Sequence, residues 1–270
     1  DYIRALAFLY LGKQADAFEA VKEELRLYPG NAAATELLES LKPGEGGAGE
    51  TAHDDPDSFA GIYGRIRDYT MVSKARLRAL HLHARRTLRS GMQGNFVECG
   101  VAAGGSSGLL AKLIHDLGEP DVRLFCCDSF SGMPLPTNHD THCGQDADAT
   151  GWGTGTCAAP ESSVREICSR FGAVDRIVIV KGFFEETLPL WKERMGPIAF
   201  LHMDGDWYSS TRAILDNLYD RLVPGAYVQI DDYGHWDGCR KAVHEFFDSR
   251  GISPELREID VSGVYFIKQS

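Results

Sequence analysis

The sequence predicts an α/β protein with a mostly parallel β-sheet, helices on both faces and a helical appendage at the N-terminus. Short apolar runs alternate with amphipathic segments from residue 95 onward, which is typical of parallel strands joined by helices. Glycine or aspartate motifs follow several of the apolar runs, where a parallel sheet binds ligands. Two last strand-like runs flank the turn residues 261–263, which predicts an antiparallel hairpin closing one edge of the sheet.

The elements follow from hydrophobic periodicity and from the residues that end each run. Parallel strands are predicted at 96–100, 122–128, 176–181, 198–204 and 226–231, and the hairpin at 255–260 and 263–268. Helices are predicted at 106–117, 161–171, 208–222 and 237–250. A further helix over 71–90 is rich in basic residues, which indicates a solvated face rather than a nucleic-acid contact. Those residues are Lys74, Arg76, Arg78, Arg85, Arg86 and Arg89.

Composition excludes several classes of protein. The 270 residues carry 28 Lys and Arg against 39 Asp and Glu, a formal charge of −11. Because nucleic acids and anionic membranes need a basic surface, we expect neither as a partner. The longest apolar runs are shorter than the roughly 20 residues of a membrane span. Seven cysteines without a CxxC pair favour a reduced, cytoplasmic protein.

Three regions are predicted along the chain: helices at 1–41, a flexible acidic linker at 42–58 and one large domain at 59–270. In the first region, the runs 12–18 and 28–31 resemble part of a tetratricopeptide repeat, which implies a protein partner for these helices. A simple helical hairpin is the alternative. Within the large domain, residues 129–160 are rich in Gly, Thr, Asp and His and are predicted to form a lid or substrate loop.

A glycine loop follows the first predicted strand, with Glu98, Gly100, Gly104 and Ser106 in order. Glycine permits a tight turn and close approach to a ligand, and Ser106 is placed to cap the next helix. The Glu-x-Gly-x-x-x-Gly spacing is nearer to the loop of S-adenosylmethionine enzymes than to a dinucleotide fingerprint. A plain strand-to-helix turn is the alternative. Asp128 ends the second strand, where a carboxylate can accept hydrogen bonds from ribose hydroxyls or form a turn.

The strongest signal is a set of aspartates after two strands that are predicted to be neighbours. Asp204 and Asp206 end the fourth strand, and Asp231 and Asp232 end the fifth. Like charges crowded at one edge are costly unless a cation or protons offset them. Oxygen ligands favour Mg²⁺, or alternatively Mn²⁺ or Ca²⁺. Two separate helix caps are the structural alternative.

Taken together, these motifs resemble the macrocin O-methyltransferase family, which methylates sugar hydroxyls of antibiotics. The resemblance covers about 200 residues in order and rests on the runs 69–72, 98–106, 128–134, 182–189, 204–211 and 224–234. It implies a class I methyltransferase fold, which is Rossmann-like, using S-adenosylmethionine and Mg²⁺. The helical segment 1–41 lies outside the family's usual core, and the loop 135–158 has no clear match. Ala102-Ala103 and Phe183 stand where the family often has Trp-Arg and Trp.

The resemblance also implies residue roles. Asp204, Asp231 and Asp232 correspond to the metal ligands, and Asp206 corresponds to the catalytic base, with Asp204 beside it in the catalytic pair. His139, His142 or His235 is an alternative base. The predicted cofactor contacts are Glu98, Gly100, Gly104, Ser106, Asp128, Ser129, Gly182 and Phe183.

Three functions are compatible with these patterns. The first is a Mg²⁺-dependent O-methyltransferase that acts on a hydroxyl of a small glycosylated molecule. The second keeps the fold and cofactor but methylates a catechol-type phenol. The third is a degenerate methyltransferase domain that serves as a docking module, which the complete set of glycines and aspartates disfavours. The family resemblance also implies a homo-oligomer.

Overall fold

The computed structural model describes residues 58–269 and a few helical positions between residues 17 and 38. The chain divides into two units, Asp1–Asp54 and Asp55–Ser270. At the described positions of the first unit, Val21 and Ala34 are buried and pack with Leu25, Leu37 and Leu38. The described residues do not include the rest of the predicted tetratricopeptide-like segment. They also do not include residues 42–57 of the predicted linker.

The second unit alternates helices and strands as predicted. Two helices precede the first strand: α1 (Phe59–Ile66) and α2 (Lys74–Arg89). The alternating part then runs β1 (Asn95–Cys99), α3 (Gly105–Leu117), β2 (Leu124–Asp128), β3 (Thr141–His142), β4 (Gln145–Asp146), α4 (Glu161–Arg170), β5 (Ile177–Lys181), α5 (Phe184–Met195), β6 (Ile198–Met203), α6 (Tyr208–Leu218), β7 (Leu222–Ile230), α7 (Asp237–Arg250), β8 (Arg257–Glu258) and β9 (Val264–Ile267).

The main sheet has seven strands in the order β5-β2-β1-β6-β7-β9-β8. The first five are parallel, whereas β9 is antiparallel to both β7 and β8. The mostly parallel sheet with an antiparallel hairpin at one edge is therefore confirmed. The strand order reverses between β1 and β6, and ligands of open α/β sheets bind at the carboxyl ends beside such a reversal.

Two apolar cores cover the two faces of the sheet. On one face, α5, α6 and α7 bury Leu188, Leu215 and Phe246. On the other face, α1 to α4 bury residues such as Ile62 and Leu110. A sheet buried on both sides explains why the parallel strands read as continuous apolar runs rather than as alternating ones.

A missed helix and an early strand start are the largest differences from the sequence prediction. Helix α5 was not predicted, because Pro189 stands inside it and proline disfavours a helix interior. It forms nonetheless, since Phe184, Thr187, Leu188 and Met195 are buried against the sheet. Strand β7 begins at Leu222, four residues before the predicted start. The run Pro224-Gly225 looks like a break in the sequence. In the structure, Gly225 N donates to Lys268 O at 2.8 Å and continues the pairing between β7 and β9.

None of the helices in the described part of the chain is long and apolar enough to span a membrane.

Candidate active site

The carboxyl ends of four neighbouring strands are aligned by hydrogen bonds that continue beyond the strands. Gly100 N donates to Cys127 O at 2.9 Å, Asp204 N to Cys99 O at 2.8 Å, and Asp231 N to Met203 O at 2.9 Å. The glycine loop after β1 therefore lies between Asp128 on one side and the aspartates after β6 and β7 on the other. The sequence prediction that these ends meet at one edge is correct.

Gly100 is required by close packing between two strand ends. Its φ is +91°, and a Cβ there would lie 1.8 Å from the backbone oxygen of Asp204. Gly104 has a φ of +93°, and its Cβ would meet the Cα of Val164 at 2.8 Å. Both glycines thus make room for the protein's own backbone. From the sequence alone, this role could not be distinguished from making room for a ligand.

The predicted cap on α3 is corrected by the structure. Helix α3 begins at Gly105, and the left-handed Gly104 occupies the cap position, without a side-chain hydrogen bond. Ser106 lies inside the first turn and is buried, so it does not cap the helix. Its backbone still belongs to the N-terminal turn, whose N–H groups favour anionic or polar ligand groups.

Glu98 lies beneath the glycine loop, and its side chain is fully buried. One carboxylate oxygen accepts a short hydrogen bond from Ser107 Oγ, and Oε1 lies 3.0 Å from His202 Nδ1. Since both oxygens have protein partners, the structure gives Glu98 a supporting position. A direct cofactor contact at this residue stays a prediction.

Asp128 connects the glycine loop after β1 with the turn after β2. Its Oδ2 accepts from Val101 N at 2.7 Å and from Ala102 N at 3.0 Å, and its Oδ1 accepts from Phe130 N at 2.7 Å. Ser129 Oγ donates to Gly132 O at 2.9 Å and stabilises the turn that follows. The carboxylate is thus fixed at this edge by three backbone N–H groups, and its predicted contact with ribose hydroxyls stays a prediction.

Gly182 and Phe183, two further predicted cofactor contacts, lie at the same edge as Asp128. Gly182 N donates to Asp128 O at 2.9 Å, which places the two predicted contacts next to each other. A Cβ at Gly182 would meet Thr187 Cγ2 at 2.6 Å, so glycine lets α5 start close to the strand end. The Phe183 side chain is 37% exposed, an apolar ring left uncovered at this edge.

The aspartates after β6 and β7 are joined into one acidic cluster. Asp206 N donates to Asp232 Oδ2 at 3.1 Å, and Trp236 Nε1 donates to Asp206 Oδ1 at 3.1 Å. Potential metal-binding atoms of His202, Asp204 and Asp231 all lie within 4.8 Å of one another. Asp231 is fully buried and Asp232 is nearly so.

Asp231 is tied to two cationic side chains. Its Oδ2 accepts from Arg76 Nη1 at 2.7 Å, while its Oδ1 accepts from His202 Nε2 at 3.2 Å and from Gln229 Nε2 at 3.0 Å. Arg76 also pairs through Nε with Asp260 Oδ2 at 3.1 Å. The prediction that the basic residues of α2 form a solvated face is therefore wrong for Arg76, because its guanidinium reaches between two strands to a buried carboxylate.

Burial and mutual repulsion separate the pKa values of the cluster. Burial and the charges of Asp231 and Asp232 raise the pKa of Asp204 well above its usual value. Burial and the charge of Asp232 do the same for Asp206. Burial and Asp231 raise the pKa of Asp232 to about 6. Burial acts to raise the pKa of Asp231 as well, but Arg76 and His202 outweigh it and lower the value to about 2.

His202 is held as an imidazolium in the interior. Burial opposes its charge, but hydrogen bonds to Asp231 and Glu98 raise its pKa well above the usual value. With Arg76, it supplies the positive charge that this part of the site contains. Asp204, Asp206 and Asp232 have no such cationic partner among the described residues.

The donor set fits a hard divalent cation. Mg²⁺ prefers carboxylate oxygens, and burial together with neighbouring negative charge raises the pKa values of Asp204 and Asp232. Neither of these two residues has a cationic partner among the described residues, whereas the atoms that lie within 4.8 Å of one another belong to His202, Asp204 and Asp231. Asp231 already accepts three hydrogen bonds and retains a free lone pair only on the oxygen that binds Arg76. The three predicted ligands are therefore not equivalent.

Residues 129–160, the predicted lid or substrate loop, are held to the segment after β6 by hydrogen bonds. Trp207 Nε1 donates to Pro134 O at 2.9 Å. Asp140 is buried, and its Oδ1 accepts from Tyr208 N at 2.7 Å, at the start of α6. Its Oδ2 accepts from the backbone and hydroxyl of Thr137 at 2.6 and 2.8 Å. The predicted loop thus contains the short hairpin β3–β4 and is attached at the end of the sheet where Asp204 and Asp206 lie.

The three histidines named as alternative bases occupy different positions. His142 and His235 stack with ring centroids 4.3 Å apart, and His142 Nδ1 lies 2.7 Å from His235 O. Burial, with a contribution from His142, lowers the pKa of His235 to about 4, so it is neutral at pH 7. His139 lies 3.1 Å from Lys241 Nζ on the outer side of the lid.

Backbone strain is concentrated around this edge. Within residues 58–269, the residues other than glycine with a left-handed φ are Ala102, Phe130, Cys143, Cys157 and Asp206. They lie in the glycine loop, in the lid and in the acidic cluster. Such conformations cost on the order of 1 kcal/mol or more each and persist where the surrounding contacts enforce them, commonly at functional sites.

The sheet order, the glycine loop at the reversal and the carboxylate after β2 define a class I methyltransferase, the fold of S-adenosylmethionine-dependent enzymes. The sequence profile of the macrocin-O-methyltransferase (TylF) family matches residues 15–268, and the chain belongs to this family of O-methyltransferases. The match starts at residue 15. The expectation that the segment 1–41 lies outside the family's core is therefore wrong for most of that segment.

Relatives of the chain are named as O-methyltransferases, and the name of one specifies a rhamnosyl compound. The chain is 36% identical over 216 residues to the 8-demethyl-8-(2,3-dimethoxy-alpha-L-rhamnosyl)-tetracenomycin-C 4'-O-methyltransferase of Streptomyces olivaceus, covering 78% of this chain and 81% of the relative. It is 34% identical over 201 residues to the mycinamicin III 3''-O-methyltransferase of Micromonospora griseorubida, covering 73% and 78%. The solved structure of the O-methyltransferase NovP superposes with a TM-score of 0.67 at 30% identity, covering 75% of this chain and 83% of that one.

Sequence reasoning missed several residues that shape the site: Arg76, Ser107, Asp140, Gln229 and Trp236. A signal for Arg76 does exist. It lies on the same stripe of α2 as Leu80, His83 and Thr87, all of which are buried, whereas Arg78 points away from this stripe and is exposed.

Proposed function

We propose that the protein transfers the methyl group of S-adenosylmethionine to a sugar hydroxyl of a glycosylated natural product, with a divalent cation, Mg²⁺, in the acidic cluster. The observation that carries this proposal is the position of Asp204 and Asp232, which lie beside the glycine loop with too little positive charge around them. The named activities of the relatives support a sugar acceptor.

When bound, S-adenosylmethionine would supply an activated methyl group, and a divalent cation would make a nearby hydroxyl more acidic. The cofactor would lie against the glycine loop, Asp128, Ser129, Gly182 and Phe183. The cation would be held mainly by Asp204 and Asp232, with Asp231 as the third ligand.

Asp206 is the proposed base. Its Oδ1 accepts from Trp236 Nε1, which fixes the carboxylate, and Oδ2 has no hydrogen-bond partner among the described residues. That oxygen can take the proton of the acceptor hydroxyl. A positioned base of this kind contributes roughly 10²–10⁴-fold to the rate. Asp206 has a left-handed backbone with a φ of 53°, and this conformation helps to set the orientation of its side chain.

The docked lid excludes water and bounds the acceptor site. Trp207 and Trp236 pack edge to face at 4.7 Å in the core, and the partly exposed His142–His235 stack lies next to Trp236. Partly exposed imidazole rings beside polar groups suit a sugar ring, which has apolar C–H faces and a polar hydroxyl edge. Alignment of the hydroxyl with the donor methyl can contribute on the order of 7–11 kcal/mol.

The test compares wild type with Asp204→Asn and with the control Asp121→Asn, which changes an exposed aspartate remote from the cluster. Methyl transfer to a panel of rhamnosides is measured with Mg²⁺ and with chelator, and S-adenosylmethionine binding is measured by calorimetry. We expect Asp204→Asn to lose at least about 100-fold in turnover and to bind the cofactor as wild type does.

Full wild-type turnover in chelator would remove the metal from the proposal. Turnover of vicinal diphenols with none of rhamnosides would replace the sugar acceptor by a phenol. Failure to bind S-adenosylmethionine would favour a docking module. A homo-oligomer, a cytoplasmic location and a protein partner for residues 1–41 stay predictions.

A further inference from the structure

Arg76 is the only cationic side chain of α2 that reaches the acidic cluster within the described part of the chain. Its side chain is 16% exposed, although Arg78, Arg86 and Arg89 of the same helix are exposed. Its guanidinium spans two carboxylates, with Nη1 at 2.7 Å from Asp231 Oδ2 and Nε at 3.1 Å from Asp260 Oδ2. Nη1 also lies 3.2 Å from Asp231 O.

The surroundings of Arg76 are built to hold it there. A Cβ at Gly263 would lie 2.5 Å from Arg76 Cδ, so glycine is required beside the side chain. Asp260 is itself fixed by Ser73 Oγ at 2.6 Å and by Gly263 N at 2.7 Å. Ser262 Oγ donates to Asp231 O at 2.7 Å and joins the same turn to the acidic cluster.

Resting on the proposed metal-dependent function, we propose that Arg76 is a positioning residue that acts as a resident counter-cation. It occupies Oδ2 of Asp231, so that this carboxylate can give a metal ion no more than one lone pair. Asp204 and Asp232 then carry most of the binding, and the ion keeps coordination positions open for the hydroxyls of the acceptor.

Removing the charge of Arg76 should change the affinity for a divalent cation and the affinity for the acceptor in opposite directions. Removing the positive charge should strengthen the binding of a divalent cation, because repulsion disappears and Asp231 becomes free to coordinate. It should at the same time weaken binding of the acceptor, because the additional carboxylate fills positions that the acceptor needs. Damage to the fold would weaken both.

The experiment measures binding of Mn²⁺ alone to the full chain by electron paramagnetic resonance, without cofactor or acceptor. Arg76→Gln removes the charge, Arg76→Lys retains it, and Arg78→Gln removes an exposed charge from the same helix. We expect Arg76→Gln to bind Mn²⁺ on the order of tenfold tighter. In a separate methyl-transfer assay, we expect the same variant to show a higher KM for the acceptor. Arg76→Lys and Arg78→Gln should stay within about twofold of wild type in Mn²⁺ affinity.

The outcomes separate this inference from the proposed function. If wild type binds Mn²⁺, Asp204→Asn does not, and Arg76→Gln binds equally or more weakly, the role of Arg76 is refuted while the metal site stands. If none of the proteins binds Mn²⁺, the metal site fails and the role of Arg76 fails with it. Circular dichroism checks that each variant is folded. If Arg76→Gln is not folded, Arg76→Lys decides, because loss of its Mn²⁺ binding would also contradict the proposal.

Discussion

Replacing Gly100 with alanine tests how closely the ends of β1 and β6 approach each other. The new Cβ would lie 1.8 Å from the backbone oxygen of Asp204, an atom that cannot rotate away. The ends of β1 and β6 must separate by about 1.2 Å before the new Cβ and the Asp204 oxygen reach even a tight 3.0 Å contact. The left-handed φ of +91° adds its own strain. We expect a total cost of about 2–5 kcal/mol, of which the clash contributes about 1–3 kcal/mol.

Gly151→Ala is the matched control, because Gly151 has a φ of +87° but nothing within 4 Å of its Cβ position. Thermal unfolding of both variants isolates the clash, since the backbone strain is common to them. Gly100→Ala should melt roughly 2–12 °C below Gly151→Ala, because 1 kcal/mol corresponds to about 2–4 °C in a domain of this size. Because a shift of about 1 Å in Asp204 can cost about 10²-fold, methyl transfer should also fall. Equal melting temperatures would show that the two strand ends are not in contact.

Two further predictions concern acid stability and the lid. Burial lowers the pKa of His83 to about 4, so between pH 6.5 and 4 only the unfolded chain takes up this proton, and stability falls as pH falls. His83→Phe, which keeps a ring for stacking, should lose about 3 kcal/mol less than wild type over this range in urea unfolding; parallel losses would contradict the assignment. Asp140→Ala removes the acceptor that docks the lid, so KM for the acceptor should rise about tenfold while cofactor affinity in calorimetry is unchanged. The exposed lid residue Asp146, changed to alanine, should leave KM as it is, and a similar rise there would argue against specific docking.

The sheet was predictable because its strands are buried on both sides and end at glycine or aspartate. The run that forms β6 is apolar throughout, and Asp204 follows it directly. Helix α5 was not predictable, because Pro189 argues locally against a helix and only packing on the sheet outweighs it. Ser106 was misplaced as a cap because the left-handed conformation of Gly104, which starts α3 one residue earlier, cannot be read from the sequence.

The acidic part of the site could be located from spacing, since parallel strands put their carboxyl ends at one edge. The difference between the individual aspartates could not be predicted from spacing. Asp231 and Asp232 are adjacent in sequence, yet their pKa values lie near 2 and near 6, because only Asp231 meets Arg76 and His202. Arg76 is 155 residues away from that aspartate along the chain. A contact across this distance depends on tertiary packing and leaves no local pattern.

The link from Arg76 to Asp260 connects the acidic cluster with the outer edge of the sheet. Strand β8 has two residues and forms this edge, and the turn after it carries both Asp260 and Ser262. Short edge pairs open at a low free energy without global unfolding. An opening that displaced this turn would release Arg76 from one of its two carboxylates and remove a hydrogen bond from the Asp231 backbone. We therefore expect variants that loosen this turn to speed amide hydrogen exchange at β8 and also to hold the acidic cluster less firmly.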